Sequence, residues 1–477
     1  MTSLQVTRSL TILSDDEMRK IHEGSITVLE RTGVQFEDRE IANFLKERGC
    51  TVDQETLRVK FPPHVVEASL KTCPREFTVK ARNPKHDLHF NGTNVYFTSH
   101  SGPSIIDPET GQRRKPSLQD VSDMITVIDA LENLHALLTL TGEPSDKPPE
   151  VGPEWVFAEI FRKTEKTTVG PSFRDCPKWI IEMASVVGEG LIGITSCTPP
   201  LFYPKQDTDA LMLYAKAGHP VTVGSGIAAG GTGPVTLAGT LVQQTAEALA
   251  GIVLVQSVVP GTGVFSLTET APIDMKTGDI AWGSIEVGLL HTALAQISRY
   301  LGIQSLSLFP MTNSLVHDEQ AGYEKGMQAL LMAISGINYI TGGGGVYSES
   351  ALSFEQLIID NDIFGMIARY REGITVSDET LAVDVIHEVG SLRGSYLKHP
   401  HTRKWFKNEI YFPTVSNRLP HHAWIREGSK DSASRAREKA REILKTHQPV
   451  PLPDEAEREL DRILKAVEKA RLKKKVV

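Results

Sequence analysis

The chain has 477 residues, enough to bury a large core in one barrel-sized domain with additions or in several small domains. Lys and Arg number 51 against 59 Asp and Glu, a net charge of −8 that argues against nucleic acid as the main partner. Four scattered cysteines (Cys50, Cys73, Cys176 and Cys197) without C-x-x-C spacing read as free thiols of a reducing compartment. No apolar run reaches about 18 residues, and Met1-Thr2-Ser3-Leu4 lacks a charged-then-apolar signal pattern. The expectation is a soluble cytoplasmic protein with no membrane partner.

In chain order, Ser14-Asp15-Asp16-Glu17 is a capping box, and residues 14–70 read as helical. Residues 77–98 alternate in polarity and are broken by Asn83-Pro84 and Asn91-Gly92, which predicts short hairpins. A repeat then begins. Strand candidates are 95–98, 136–141, 167–170, 193–196, 221–225, 263–267, 304–309 and 337–341, with helical patterns between them such as 118–131, 238–259 and 281–301. Eight such alternations predict an α/β fold, the (β/α)8 TIM barrel, with a doubly wound sheet as the rival. The expected organisation is residues 1–92 as N-terminal helices and hairpins packed on the barrel, 93–372 as the barrel and 373–477 as a helical extension. In that extension 431–444 and 454–475 read as charged surface helices.

Two glycine stretches follow strands. Gly342-Gly343-Gly344-Gly345 frees the backbone for positive φ and close ligand approach. The run around Gly230-Gly231 lacks the Gly-Lys-Ser/Thr of a phosphate loop, although a helix N-terminus there would suit an anion. Asp87-Leu88-His89-Phe90-Asn91-Gly92 fits the pattern by which corrinoid modules offer a histidine to cobalt, but it lies in a hairpin region before the barrel and reads as chance agreement. His399-Pro400-His401 and His421-His422 have no cysteine or acidic partner at ligand spacing, so no metal site is expected.

The segment Asp318-x-Gln320-Ala321-Gly322-Tyr323-Glu324 resembles the trimethylamine methyltransferase family. So do Gly230-Gly231-Thr232-Gly233-Pro234, Leu352-x-x-Phe354-Glu355-Gln356-Leu357-x-x-Asp360 and His399-Pro400-His401-Thr402. The resemblance covers nearly the whole chain. It implies a barrel enzyme that moves a methyl group from a methylated amine to the cobalt of a corrinoid (cobalamin) carried by a separate cognate protein, with no tightly bound cofactor and with free cob(I)alamin usable in vitro. Founding members carry pyrrolysine on a late loop, where this chain has Leu315. The likeness is therefore to the branch without pyrrolysine, which implies a quaternary amine such as glycine betaine, giving dimethylglycine, or else proline betaine or carnitine. A homo-oligomer is also consistent with the chain.

A quaternary ammonium has no N–H, so aromatic faces rather than hydrogen bonds would hold it. Loop-end aromatics at the carboxyl face of the expected barrel are Phe97, Phe173, Phe202, Tyr203, Phe309 and Tyr347, with Phe354 just beyond. Arg174, His100 and His317 are candidates for a betaine carboxylate, and Glu143, Glu269 and Glu349 for the cation. Gly230, Gly231, Gly343 and Gly344 are expected on loops facing the corrinoid. Each of these is equally at home as rim packing or as a solvated surface group. Two other classes remain open: a barrel isomerase or aldolase on a phosphorylated substrate, which would call for a strand-end lysine, and a non-catalytic betaine-binding protein.

Overall fold

A computed structural model describes residues 9–140, 143–348, 350–391 and 393–472. Eight parallel strands close into a barrel. They are β1 (Tyr96–Ser99), β2 (Ala136–Leu137), β3 (Thr167–Gly170), β4 (Leu191–Gly193), β5 (Val221–Ser225), β6 (Val264–Thr268), β7 (Gln304–Ser307) and β8 (Tyr339–Gly343). The last strand pairs with the first, Tyr339 beside Tyr96, which leaves no sheet edge. Each strand is followed by a helix: α1 (Leu118–Ala130), α2 (Gly152–Lys163), α3 (Cys176–Val187), α4 (Lys205–Lys216), α5 (Leu237–Val258), α6 (Ile285–Leu301), α7 (Glu319–Ser335) and α8 (Phe354–Glu372). The barrel is thus the expected one rather than a doubly wound sheet.

Local chemistry sets these boundaries. The Ser117 hydroxyl accepts from the Asp120 amide while the Asp120 carboxylate returns to the Ser117 amide, a capping box that starts α1. Asp318 caps α7 by accepting from Ala321 N–H. Left-handed Gly302 and Gly336 end α6 and α7. Helix α5 is apolar nearly all round because helices Asp15–Arg31 and Pro63–Thr72 cover its outer side.

The N-terminal segment corrects one expectation. Residues 14–70 are not helical throughout: strands Val34–Phe36, Thr51–Asp53 and Arg58–Lys60 interleave with the helices. Val34 and Phe36 alternate inward, and their strand pairs with Phe202–Tyr203, where Phe36 stacks on Tyr203 at 5.2 Å. That contact puts Tyr203 into structural packing.

The expected hairpin is Phe77–Val79 against Leu88–Phe90. It plugs the amino-terminal end of the barrel: Phe90 meets Phe265 edge to face at 4.7 Å, and Phe77 meets the same ring at 5.2 Å. In it Asp87 accepts from Ala81 N–H at 2.8 Å and His89 lies 2.9 Å from the Thr78 hydroxyl, so the Asp87-x-His89 pair is spent inside the hairpin. Above the plug the interior is filled by Val169, Ile192, Leu267, Leu306 and Tyr339. In the extension, helix Ser432–Thr446 lies on α8 and α1, and helix Asp454–Arg471 on α2 and α3.

Candidate active site

Strand periodicity decides which side chains reach the open end of the barrel. Side chains alternate in and out along each strand, so continuing the inward series of β1, β2, β3, β6 and β7 past the strand ends brings His100, Leu138, Phe173, Glu269 and Leu308 inward. These five line one cavity of about 550 Å³ at the carboxyl end, together with Lys115 and Glu143. The packed layer beneath gives it an apolar floor.

The Glu269 side chain leans across Gly226, the inward position beyond β5, where a Cβ would lie only 3.0 Å from its Oε2. A residue larger than glycine would push the carboxyl out of place. Burial raises the Glu269 pKa to about 7, so near neutrality the carboxyl is poised between its two forms. Strand β6 stands three places round the ring from β1 and four from β2. Glu269 therefore faces the side that carries His100 and Lys115.

Lys115 reaches the cavity from outside the barrel. Strands Ile105–Ile106 and Arg113–Arg114 form a hairpin beside Ala351–Leu352 and Gly345–Val346, a four-stranded sheet above β8 and β1. Arg114 fixes the end of this hairpin by donating to Asp107 at 2.7 Å and to Asp120 at 2.7 and 2.8 Å. The guanidinium holds both carboxyls below their ordinary range. Lys115 follows directly, placed by a rigid neighbour. No spacing in the sequence marks this residue.

His100 and Phe173 line the cavity, and so do Glu143 and Glu269. The other aromatic candidates are not among its lining. Phe97 follows inward Tyr96 and so points outward, where it stacks on Phe364 at 4.3 Å. Phe309 follows inward Leu308 and packs on His291 at 4.5 Å. Phe354 is buried at the start of α8, and Tyr347 packs with Ile106, Val346 and Ala351 in the four-stranded sheet. Phe202 belongs to the accessory sheet with Gln35. Arg174 is exposed; it donates to the Pro149 carbonyl at 2.5 Å and stands 3.5 Å from Glu143. His317 lies 2.8 Å from the Ser353 hydroxyl, and burial lowers its pKa. Glu349 lies outside the described residues.

The glycine loops are held by protein groups. The buried Lys325 ammonium donates to the Gly342 and Gly345 carbonyls at 2.8 Å each and pairs with buried Asp360 at 2.8 Å. Asp360 in turn accepts from Gly344 N–H and from the Gln356 amide, both at 2.8 Å. Every partner of this buried pair is satisfied, which is what such a pair requires. Gly343 sits in β8 against the Thr98 carbonyl, and Gly230 and Gly231 are exposed, on a turn beside the Met275 and Ile273 side chains. Among the described residues no three His, Cys, Asp or Glu side chains are placed to hold a metal ion.

The arrangement can hold a small cation against one ring and one carboxylate, with a positive group opposite. The sequence matches the trimethylamine methyltransferase (MTTB) family over residues 2–470. It is 34% identical to a glycine betaine methyltransferase of Desulfitobacterium hafniense (strain Y51), across 96% of this chain and 97% of that protein. It is 32% identical to a trimethylamine methyltransferase, MttB, of Desulfitobacterium hafniense (strain DSM 10664 / DCB-2), across 95% and 93%. The crystal structure of the Methanosarcina barkeri monomethylamine methyltransferase (MtmB) superposes with a TM-score of 0.47 at 15% identity, over 93% of this chain and 96% of that one.

Proposed function

The chain belongs to the trimethylamine methyltransferase family, and on that premise we propose that its substrate is a quaternary amine bearing a carboxylate. Glycine betaine is the first choice, with its methyl group passing to the cobalt(I) corrinoid of a partner protein and dimethylglycine left behind. The observation that carries this reading is the mixed lining of the cavity: Glu269 beyond β6, the Phe173 ring beyond β3, and Lys115 and His100 on the β1 side with Glu143 beyond β2. Glycine betaine carries a cation and a carboxylate, and this lining offers partners for each. Similarity to a protein named for glycine betaine supports the choice.

A corrinoid in its cobalt(I) state supplies the nucleophile. A cavity of about 550 Å³ suits a small amine but not a corrin ring with its side chains, so the acceptor approaches from the open end. The chain's own residues bind and orient. Phe173 offers its face to the trimethylammonium, worth about 0.5–2 kcal/mol. Ionised Glu269 adds attraction from across the barrel, while Lys115 and His100 take the carboxylate. Leu138 and Leu308 keep water from the methyl group. When the C–N bond breaks, its electron pair stays on nitrogen and a neutral tertiary amine leaves. No proton need move, so the residues act by alignment rather than acid–base chemistry.

The reading is tested by incubating the protein with chemically reduced cobalamin and, separately, glycine betaine, choline and trimethylamine. Cobalt methylation is followed by absorbance and product by mass. The expected result is dimethylglycine from glycine betaine with little turnover of trimethylamine. Robust demethylation of trimethylamine and none of glycine betaine would overturn it.

A further inference from the structure

On the substrate reading above, we infer that Asp146 is a positioning residue: it locks the hairpin that carries Lys115 to the loop that carries Glu143. Asp146 does not itself line the cavity. Both legs of the hairpin are tied to the chain that follows β2. On the outgoing leg, between β1 and Ile105, the Gly102 amide donates to the Leu140 carbonyl at 2.8 Å. On the return leg the Ser145 amide donates to the Pro116 carbonyl at 2.8 Å, one residue beyond Lys115. Leu118 then donates its amide to the Asp146 carboxylate, also at 2.8 Å. That amide belongs to the first turn of α1, where no helical partner exists. Ser117 and Asp120 cap each other's amides, so Asp146 takes up a donor that the capping box leaves over, reaching in from another loop. A carboxylate there also lies at the positive end of the helix dipole.

The placement of this bond suits the task. Leu118 is three positions after Lys115, and Asp146 is three positions after Glu143, so the bond stands directly behind both side chains. Lys115 is exposed and carries its charge on a flexible four-carbon stem, so the backbone beneath it decides where the ammonium can reach. Arg114 anchors that backbone from one side, through Asp107 and Asp120. Asp146 anchors it from the other. The loop that supplies Asp146 is itself held, because the Lys147 ammonium stands 3.8 Å from the centre of the Trp155 ring on α2. Loss of the Asp146 carboxylate removes the side-chain bond between the two walls. They then part more often, and Lys115 spends less time at the substrate carboxylate.

The test compares Asp146→Ala with Asp146→Asn, whose amide oxygen still accepts from Leu118. Amide hydrogen exchange of the full chain reads the coupling without any substrate. In Asp146→Ala, exchange should quicken about fivefold at residues 102–118 and 143–148 together, while Asp146→Asn keeps the parent's rates. Unchanged exchange, or quickening confined to the first turn of α1, would overturn the proposal and leave Asp146 a local helix cap. Kinetics with reduced cobalamin read the consequence. Asp146→Ala should raise KM for glycine betaine about fivefold and add nothing in a Lys115→Ala background. KM for choline should stay within about twofold of the parent, because exposed Glu143 contributes little to holding the cation. An equal loss with choline, or a loss that persists without Lys115, would also overturn the proposal. A parent that turns over no glycine betaine would instead sink the substrate reading, and exchange alone would decide whether Asp146 locks the walls.

Discussion

Replacing Glu269 by Gln removes one charge from the cavity and keeps the shape. Two unit charges about 5 Å apart attract by about 3 kcal/mol at an effective dielectric of 20. Part of that is spent on desolvating the carboxylate, so the net loss should be about 1–2 kcal/mol, or about 5- to 30-fold in Kd. The pH dependence is more diagnostic. Burial raises this pKa to about 7, and a fixed-charge cation binds the ionised form. The ionised fraction is about one-tenth at pH 6 and nine-tenths at pH 8, and the neutral form still binds weakly, so glycine betaine should bind about three- to eightfold tighter at the higher pH. For stability the sign is opposite. A raised carboxyl pKa favours folding most where the unfolded group is also protonated, and that contribution is lost as pH rises through about 7. A bound cation restores it by lowering the pKa. Titration calorimetry with glycine betaine at pH 6, 7 and 8 reads the binding, and denaturant titrations at the same pH values read the stability. The reasoning is refuted if Glu269→Gln binds betaine as the parent does, or if the parent shows no pH dependence that the variant lacks.

Lys115→Ala should weaken glycine betaine about tenfold, the worth of a charge-assisted hydrogen bond, and leave choline, which has no carboxylate, unchanged; KM for the two substrates checks it. Lys325→Met strands buried Asp360 and should cost about 3–5 kcal/mol of stability, with Lys325→Met plus Asp360→Leu recovering much of it in denaturant titrations. Tyr347→Leu should lower the melting temperature through its packing with Ile106 and Val346, with betaine affinity of the folded protein within twofold of the parent.

The eightfold rhythm was legible because each unit is a short apolar run followed by a helix with its own caps. Strands 167–170 and 221–225 begin and end where the residues indicate. The fourth strand is 191–193 rather than the expected 193–196, because Leu191 and Ile192 supply its apolar residues and the chain has left the sheet by Thr195-Ser196. The cavity was half legible. Position after a strand singled out His100, Phe173, Glu143 and Glu269, but not the direction of each side chain. Counting parity from Tyr96 or Leu306 would have turned Phe97 and Phe309 outward. Lys115 could not be found this way, because a hairpin between β1 and α1 brings it in. The glycine run at 342–345 reads as room for a ligand. The structure fills that room with the Lys325 ammonium, one residue beyond the Asp318–Glu324 motif, so part of the family signature serves to hold a loop.

The measurement that bears most directly on the two-pole cavity is a crystal structure of the protein with glycine betaine bound. The trimethylammonium should lie within about 5 Å of the Glu269 carboxylate and against the face of Phe173, with the carboxylate directed to Lys115 and His100. A betaine bound in the opposite sense, or seated outside this cavity, would contradict the account.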